Sequence, residues 1–353
     1  MIRSVDDADG HGLGTYFMGL NRNKRFMRID LADERGREVA RRLCRSADVL
    51  LENYRPGVMA KLGLGYEDVC KDNLRLVYTS ISAFGDSGPL REKPGMDIIV
   101  QGFAGIMGLT GVEGGPPVKV GAPVADLATG YAAAMATVAA LYERERSGRG
   151  QHVSLSLLNV VVSLLSNVTT GHLLTGSDVP RMGSAHPQLV PYQAFRTSDD
   201  EYLIIGILNE RFWAKLCDLL DDPVLESDPR FSTNRDRVRH RVTLIDRLDT
   251  VFAQRTVAEW ETLSERHDVP YTRVNSLSDL FRHPQSVAEG LVVEVSHPEL
   301  GRIPTVAQAA RFDRTAASYH APPARLGMHT EQVLSEHGFT GEEIAQLRAA
   351  GVI

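Results

Sequence analysis

The sequence lacks the features that mark several large classes of protein. Its 353 residues include three cysteines, at positions 44, 70 and 217, which form no CxxC pair and no His/Cys cluster with zinc spacing. Scattered thiols are typical of a reduced compartment. No apolar run approaches the ~18 residues of a membrane span, and the start MIRSVDDADGHG lacks the apolar core of a secretory signal. We therefore expect a cytoplasmic protein with no metal and no membrane contact.

Excess positive charge and the common cofactor motifs are also missing. The formal net charge is −6 and the isoelectric point is about 6.0, which disfavours a nucleic-acid partner. The motifs GxGxxG, GxxxxGK[ST], HExxH and GxSxG do not occur. The sequence therefore gives no support to a dinucleotide, P-loop, zincin or serine-hydrolase site, and we expect no tightly bound cofactor.

The residues that are present predict an α/β protein with two domains. Residues 32–48 have apolar positions at helical spacing, and DVLLENY (48–54) and DNLRLVYTSIS (72–82) are short apolar runs. Helix and strand in alternation are typical of βαβ units with a parallel sheet. Because ligands bind beyond the carboxyl ends of such strands, residues 52–54 and 82–85 are a candidate binding region.

Further along the chain, residues 114–150 predict a loop and then a helix capped near Asp126. Its many small residues favour close packing against a second helix or a partner subunit. Arg144 and Arg146 complement the dipole at its C-terminal end, and Gly148 can cap it. Residues 191–207 predict a hairpin. Near the C-terminus, Gly338 predicts the end of one helix, and Thr340 with Glu343 three residues on predicts a capping box at the start of the next. The predicted domains are a large one (1–175 and 305–353) and a small α/β one (185–304).

Residues 148–167, GRGQHVSLSLLNVVVSLLSN, place one amide where an alternating run gives way to a long apolar run. HVSLSL predicts a strand, and Asn159 would begin the next element. Since Asn is a favoured helix N-cap, a structural role for Asn159 is one interpretation. His152, within the strand, is interpreted as a structural histidine rather than a base.

A basic cluster, NRNKRFMRIDL (21–31), has two interpretations. One is a solvated strand edge. The other is a phosphate clamp, since Lys and Arg are the natural partners of phosphate oxygens.

Several ordered segments resemble the class III CoA-transferase family, which includes formyl-CoA and carnitine CoA-transferases and alpha-methylacyl-CoA racemases. The segments are NRNKR, ADVLLENYRPGVMAKLGLGYE, LVYTSISAFGDSGPLREKPGMDIIVQGFAGIMGLTG, GPPVKVGAPVADLATG and ERERSGRGQHVSLSLLN. The similarity extends from about residue 15 to the C-terminus. Members of the family have a further strand and helix before the segment matching GTYFMGLNRNKR, so the chain looks shortened at its N-terminus.

The resemblance implies a Rossmann-like large domain, a smaller α/β domain and an interlocked dimer, either a homodimer or a heterodimer with a related chain. It also implies an acyl-CoA thioester and a carboxylate acceptor as substrates. The residues that contact CoA in the family correspond to Lys24, Asn53, Tyr54 and Lys61, with Arg55 and Arg91 as further candidates. Those that line the acyl side of the site correspond to Ala83, Phe84 and Gly85.

The chain departs from the family at the positions that carry its chemistry. The nucleophilic aspartate of the transferases falls on Asn159, and an amide is a poor nucleophile that cannot form the same covalent intermediates. The histidine and aspartate of the racemases fall on Met96 and Ser154, which are poor proton carriers near neutral pH. Asp97 and Asp126 remain as conspicuous carboxylates, for which we expect structural roles as a loop bridge and a helix cap.

The sequence is compatible with three functions. The first is a CoA-transferase that uses another nucleophile or a route that tolerates Asn159. The second is a catalytically impaired CoA-ester-binding subunit, or degenerate homologue, that pairs with a chain supplying the aspartate. The third is an acyl-CoA racemase, which Met96 and Ser154 disfavour.

Overall fold

The computed structural model describes residues 4–5 and 13–353, so the expectation about the start of the chain falls largely outside the described residues. The strands are β1 (Ser4–Val5), β2 (Leu13–Gly14), β3 (Val49–Glu52), β4 (Val77–Ser82), β5 (His152–Ser156), β6 (Tyr192–Arg196), β7 (Tyr202–Gly206), β8 (Tyr271–Arg273), β9 (Val292–His297) and β10 (Gly301–Val306). The helices of the N-terminal half are α1 (Thr15–Leu20), α2 (Glu34–Ser46), α3 (Val58–Lys61), α4 (Tyr66–Val69), α5 (Asp97–Phe103), α6 (Ile106–Leu109), α7 (Val124–Ser147), α8 (Leu157–Leu164) and α9 (Ser166–Thr175). Those of the C-terminal half are α10 (Glu210–Leu220), α11 (Pro223–Ser227), α12 (Asn234–Arg239), α13 (Arg241–Phe252), α14 (Val257–His267), α15 (Leu277–Arg282), α16 (Pro284–Ala288), α17 (Thr330–Glu336) and α18 (Gly341–Ala349).

The elements predicted from local patterns are confirmed. Helix α2 and strands β3 and β4 lie within the predicted segments, and β6 and β7 form the predicted hairpin. At the C-terminus, Gly338 follows α17 with a φ of 79°, and Thr340 forms a capping box with Glu343 at the start of α18. These signals depend on neighbouring residues alone, which is why sequence suffices to find them.

The chain divides into two compact units. The first comprises Met1–Pro94, Tyr131–Ser156 and Leu277–Ile353, and the second comprises Gly95–Gly130 and Leu157–Ser276. Helix α7 begins in the second unit, and its residues from Tyr131 onward belong to the first. This division does not follow the predicted domain boundaries (1–175 with 305–353, and 185–304), which stay a prediction.

A parallel sheet of order β3-β4-β5 forms the centre of the first unit. Gly150 fixes β5 beside β4, because its N–H donates to the carbonyl of Leu74 at 2.8 Å and a Cβ at this position would lie 2.0 Å from the carbonyl oxygen of Leu76. On one face, the hydroxyl of Thr79 meets that of Thr137 in α7 at 2.8 Å. This contact leaves the opposite face of the sheet for other groups.

The C-terminal end of α7 is tied to the same sheet by Arg144. Its buried guanidinium donates to the carbonyls of Asp48 and Arg75 and pairs with the carboxylate of Asp48 at 3.0 Å. Gly148, with a φ of 76°, donates its N–H to the carbonyl of Arg144 at 2.7 Å. The predicted cap at Gly148 is therefore confirmed, whereas Arg144 does more than complement the helix dipole.

Helix α7 corrects one expectation from composition. By length and apolar content this helix is long enough to cross a membrane, with a mean hydropathy of 1.4 over an 18-residue window, although we expected no such run. The bent pair α8–α9 passes the same criterion only when both helices are taken together. One such helix is weak evidence, because packing helices of soluble proteins meet the same criterion.

The core of the second unit lies between the antiparallel sheet β6-β7-β8 and helices α10, α13 and α14. Phe252 is fully buried there, with its ring centroid 4.6 Å from that of Phe195 and 4.9 Å from that of Trp260. The indole N–H of Trp260 donates to the carbonyl of Phe252 at 2.9 Å. Phe252 therefore joins the sheet to two helices.

We expect Phe252→Ala to lower the free energy of unfolding by about 3–5 kcal/mol, because it leaves a cavity between two aromatic rings. Val242→Ala, on the exposed side of α13, should change it by less than about 0.5 kcal/mol. Urea denaturation measures both. Equal losses in the two variants would contradict the packing described here.

Candidate functional site

A cavity lies at the carboxyl ends of β3 and β4 in the first unit. Its volume is about 190 Å³, and its lining includes Glu52, Tyr54, Tyr78, Asp86, Arg91 and His152. This is where the sequence rule for parallel sheets places a ligand. Residues 52–54 and 82–85 were predicted for this edge, and Glu52, Tyr54 and Ser82 line the cavity.

Polar side chains cover the sheet face that borders the cavity. The Oγ of Ser80 lies 2.9 Å from Nε2 of His152, and the hydroxyl of Ser154 donates to the carboxylate of Asp86. The hydroxyl of Tyr78 donates to the carbonyl of Leu64 at 3.0 Å, and burial, followed by the nearby Glu52 charge, raises the pKa of Tyr78. Tyr78 is therefore a neutral phenol at every physiological pH.

The imidazole of His152 belongs to an aromatic cluster. It stacks on Tyr66, with centroids 5.3 Å apart and planes 18° apart, and meets Tyr78 edge-on at 5.5 Å. These contacts agree with the structural interpretation of His152. The same ring also lines the cavity, so a structural role does not separate it from the site.

Of the predicted CoA-contacting residues, Tyr54 and Arg91 line the cavity. Asn53, Arg55 and Lys61 are exposed and are not among its lining residues. After β4, Phe84 is buried, and the N–H of Gly85, whose φ is 102°, donates to the hydroxyl of Ser82 at 3.0 Å. The structure thus brings part of the predicted set together, and the roles of all of them stay predictions.

Part of the basic cluster at 21–31 is engaged in structural contacts. Arg22 donates to the Thr305 hydroxyl at 3.1 Å and to the Val306 carbonyl at 2.7 Å, and Arg25 pairs with Glu336. Lys24 is exposed, and its ammonium donates to the side chain of Asn21 at 3.1 Å. Two of the four cationic side chains of the cluster thus have structural partners, and the phosphate clamp stays a prediction, with Lys24 as its candidate.

Asn159 is not the N-cap that was predicted. Helix α8 begins at Leu157, directly after β5 ends at Ser156, so Asn159 is the third residue of the helix. The helix begins earlier because Leu157 and Val161 are buried on one side of it. The side chain of Asn159 lies on the exposed side of the first turn.

The carboxylate of Asp97 caps the start of α7 from 28 residues away. Its Oδ1 accepts the N–H of Ala125 at 2.8 Å, and Oδ2 accepts the side-chain N–H of Gln101 at 2.6 Å. Asp126 is the third residue of α7 and not its N-cap, and burial, followed by the charge of Asp97, raises the pKa of Asp126. The predicted bridge at Asp97 is confirmed, and the predicted cap at Asp126 is wrong.

No metal centre emerges from these groups. Over residues 4–5 and 13–353, no cluster of three or more His, Cys, Asp or Glu side chains is arranged to hold an ion. The cysteines are free thiols, and burial raises the pKa of the Cys217 thiol to about 12. The thiol of Cys217 therefore stays protonated and unreactive.

The family model of CoA-transferase family III matches residues 1–330 of the chain. The protein belongs to CoA-transferase family III. Succinyl-CoA:glutarate CoA-transferase of Mus musculus is 38% identical over 340 residues, which cover 96% of this chain and 78% of the mouse protein. Formyl-CoA:oxalate CoA-transferase of Streptomyces coelicolor is 31% identical over 371 residues, covering 100% of this chain and 88% of that protein.

Solved structures of the family share the fold. A CAIB/BAIF family protein from Brucella suis superimposes with a TM-score of 0.83 at 34% identity, covering 95% of this chain and 86% of that one. Rv3272 from Mycobacterium tuberculosis gives a TM-score of 0.81 at 31% identity, covering 90% of this chain and 85% of that one. The predicted mixed α/β fold is therefore confirmed.

Sequence reasoning missed the polar set of this family member's cavity. Ser80, Asp86 and Ser154 carried no motif, and His152 was interpreted as structural. The signal that was present is the alternation in HVSLS and VYTSIS. In a strand every second side chain lies on the same face of the sheet, so the serine hydroxyls of both strands share one face once the parallel register is known. The register depends on pairing between strands 75 residues apart, so the alternation alone could not locate the partners.

We expect Asp97→Ala to lower the free energy of unfolding by about 1–2 kcal/mol, because it removes the acceptor that caps the first turn of α7. Asp97→Asn keeps an acceptor oxygen and should lose less than half as much. Urea denaturation at pH 7 compares the two variants. An equal loss in both would assign the effect to the negative charge instead of the cap.

Proposed function

We propose that this protein transfers CoA from an acyl-CoA thioester to a carboxylic acid acceptor. The observation that carries the proposal is the family match over residues 1–330. Two relatives that cover 96% and 94% of the chain are named as succinyl-CoA:glutarate and succinate–glutarate CoA-transferases, and this favours a dicarboxylate acceptor. The cavity at the carboxyl ends of β3 and β4 supports binding of the CoA nucleotide.

In this proposal, Lys24, Asn53, Tyr54 and Lys61 contact CoA, with Arg55 and Arg91 as further contacts. Ala83, Phe84 and Gly85 line the part of the site that holds the acyl group of the substrate. CoA enters and leaves as a substrate, and the chain holds no tightly bound cofactor. We place the protein in the cytoplasm, since its thiols are free and unpaired with one another.

Asn159 requires a route without an enzyme-bound acyl group. An amide cannot attack a thioester as a carboxylate does, so we assign the attack to the acceptor. Its carboxylate oxygen bonds to the thioester carbonyl carbon, and the C–S bond breaks with the electron pair leaving on the CoA thiolate. The thiolate then attacks the acceptor carbonyl of the mixed anhydride, and the donor acid leaves as its carboxylate.

The amide of Asn159 can stabilise this chemistry as a hydrogen-bond donor. Its exposed side chain in the first turn of α8 carries two N–H donors, and the N-terminal end of the helix favours negative charge. The amide and the N-terminal end of the helix would stabilise the oxyanion that forms when the thioester carbonyl is attacked. The same position thus supports catalysis in which the protein forms no bond to substrate.

Two alternatives are weaker. An impaired CoA-ester-binding subunit explains Asn159, but relatives that match 94–100% of the chain are named as CoA-transferases. A racemase would need proton carriers at Met96 and Ser154; Met96 is exposed, and Ser154 donates to Asp86.

The route predicts the kinetic pattern of the unaltered chain. Initial rates with a succinyl-CoA donor and a dicarboxylate acceptor should give intersecting reciprocal plots, and intact-protein mass spectrometry should show no acyl or CoA adduct. Asn159→Ala should lower kcat by about 100–1000-fold, the loss typical of a removed oxyanion donor. Asn159→Asp should show a covalent adduct, because a carboxylate restores a nucleophile. Parallel plots with an adduct on the unaltered chain would contradict the direct route.

We also propose that the chain pairs with a second copy or with a related chain. Tyr131, Met135, Val138 and Tyr142 form an apolar stripe on α7, each 64–75% exposed, and they recur at the three- and four-residue spacing of one helix face. The small residues between them allow a partner to approach closely. Large exposed apolar stripes mark interaction surfaces.

Val138→Glu should weaken self-association roughly 100-fold or more, because it buries an unpaired charge in the interface. Val242→Glu makes the same change at an exposed valine of α13 and is the matched control. Sedimentation over a range of concentrations measures both. If the Val138 variant associates as well as the control, this face of α7 is not the interface.

A further inference from the structure

A second cavity of the first unit lies between helix α1 and the hairpin of β9 and β10. Its volume is about 360 Å³, which is within the range of small-molecule sites. The described residues that line it are all different from those that line the cavity at the carboxyl ends of β3 and β4. Its apolar lining includes Met18, Val295, Ile303, Pro304, Val306 and Pro323. A ligand that fits this cavity therefore has an apolar body.

The apolar wall of the cavity follows from the register of the hairpin. Val295 of β9 pairs with Ile303 of β10, and cross-strand partners lie on the same face of a sheet. Val295 is buried, and both side chains line the cavity. On the opposite wall, Met18 and Gly19 follow Thr15 at the three- and four-residue spacing of one helix face. The two walls are thus fixed by regular secondary structure.

Arg22 is the charged residue among the described lining residues, and it is partly buried. Its Nη1 donates to the Thr305 hydroxyl at 3.1 Å and to the Val306 carbonyl at 2.7 Å, and its guanidinium lies 5.4 Å from the ring centroid of Tyr319. Within the described part of the chain, Nε and Nη2 of Arg22 have no hydrogen-bond partner, and no carboxylate pairs with this cation. A partly buried cation without a counter-ion favours an anionic ligand.

The anion that fits this lining is a carboxylate at the end of an apolar chain. A carboxylate accepts two parallel N–H bonds from one edge of a guanidinium, and Nε with Nη2 of Arg22 is such an edge. A second carboxylate on the same ligand would lie among apolar side chains, at a high desolvation cost. A phosphate carries more charge and more acceptor oxygens than this single guanidinium can match. The lining therefore favours a monocarboxylate over a dicarboxylate or a phosphate.

We propose that this cavity binds an unbranched apolar monocarboxylate, with its carboxylate on Nε and Nη2 of Arg22 and its hydrocarbon chain between α1 and the hairpin. This site goes beyond the proposed function, because its ligand differs in polarity and charge from CoA and from a dicarboxylate acceptor. It gives Arg22 a ligand-binding role in addition to its contacts with β10.

Calorimetry at pH 7 on the unaltered full chain tests the chemical class of the ligand. Hexanoate should bind roughly tenfold more weakly than octanoate, because it buries two methylene groups fewer. Hexan-1-ol, which lacks the charge, should bind roughly tenfold more weakly than hexanoate. Glutarate and inorganic phosphate should not displace octanoate. Equal binding of hexanoate and hexan-1-ol, displacement by glutarate or phosphate, or no binding of octanoate would overturn the proposal.

A pair of arginine variants tests the carboxylate contact. Arg22→Gln should raise the Kd of octanoate tenfold or more and leave that of hexan-1-ol unchanged, because only the carboxylate loses a partner. Arg28→Gln removes an exposed arginine of the same basic cluster that does not line the cavity, and it should leave both constants unchanged. Equal octanoate binding by the two variants would overturn the role of Arg22.

A pair of glycine variants tests the cavity without touching Arg22 or its bonds to β10. A Cβ at Gly19 would meet no atom within 4 Å, so Gly19→Leu keeps the helix and fills part of the cavity with its side chain. It should raise the Kd of octanoate tenfold or more. Gly171→Leu is the matched control, since Gly171 lies in α9 with the same free space and is not a lining residue. Unchanged octanoate binding by the Gly19 variant would place the ligand elsewhere and overturn the proposal.

Acyl transfer measured on the same preparations separates this site from the proposed function. Transfer by a chain that does not bind octanoate would overturn the monocarboxylate site and keep the CoA-transferase assignment. Octanoate binding that depends on Arg22 and Gly19, in a chain without transfer, would support the site and count against the assigned activity.

Discussion

The parallel pairing of β4 with β5 is the constraint on which the first unit depends. The pairing sets Ser80 opposite Ser154 and Tyr78 opposite His152, and thereby puts their side chains on the cavity face. Thr79, one residue along, faces α7 instead. A slip of one residue would exchange the two faces of β5, and hydroxyls would meet a packed helix while apolar groups lined the cavity.

This register depends on a position where a side chain cannot be accommodated. Gly150 lies where a Cβ would come within 2.0 Å of the carbonyl oxygen of Leu76, so the backbone enters β5 in close contact with the chain that leads into β4. Arg144, six residues earlier, bonds to the carbonyls at the starts of β3 and β4. The end of α7 and the start of β5 are therefore positioned by the same few residues, and the site follows from them.

Sequence reasoning succeeded where the signal is local and failed where the partner is distant. The capping box at Thr340 and the hairpin of β6 and β7 need only neighbouring residues. The caps predicted at Asp126 and Asn159 were wrong because each of these residues is the third residue of its helix. Helix α7 takes its capping oxygen from Asp97 in another helix. Arg22 likewise finds its partner 283 residues along the chain, and no pattern near Arg22 could indicate that distance.

In the proposed function, binding of CoA and attack on the thioester depend on different residues. The cavity is formed by β3, β4, β5 and the loop after β4, and Asn159 is not among its lining residues. In the proposed route, the amide at residue 159 acts on the thioester as a hydrogen-bond donor, where a carboxylate would act as a nucleophile. Because function depends on the residues of a site and not on the fold that carries them, we expect the amide at this one position to alter the route of transfer and to leave the binding of CoA in place.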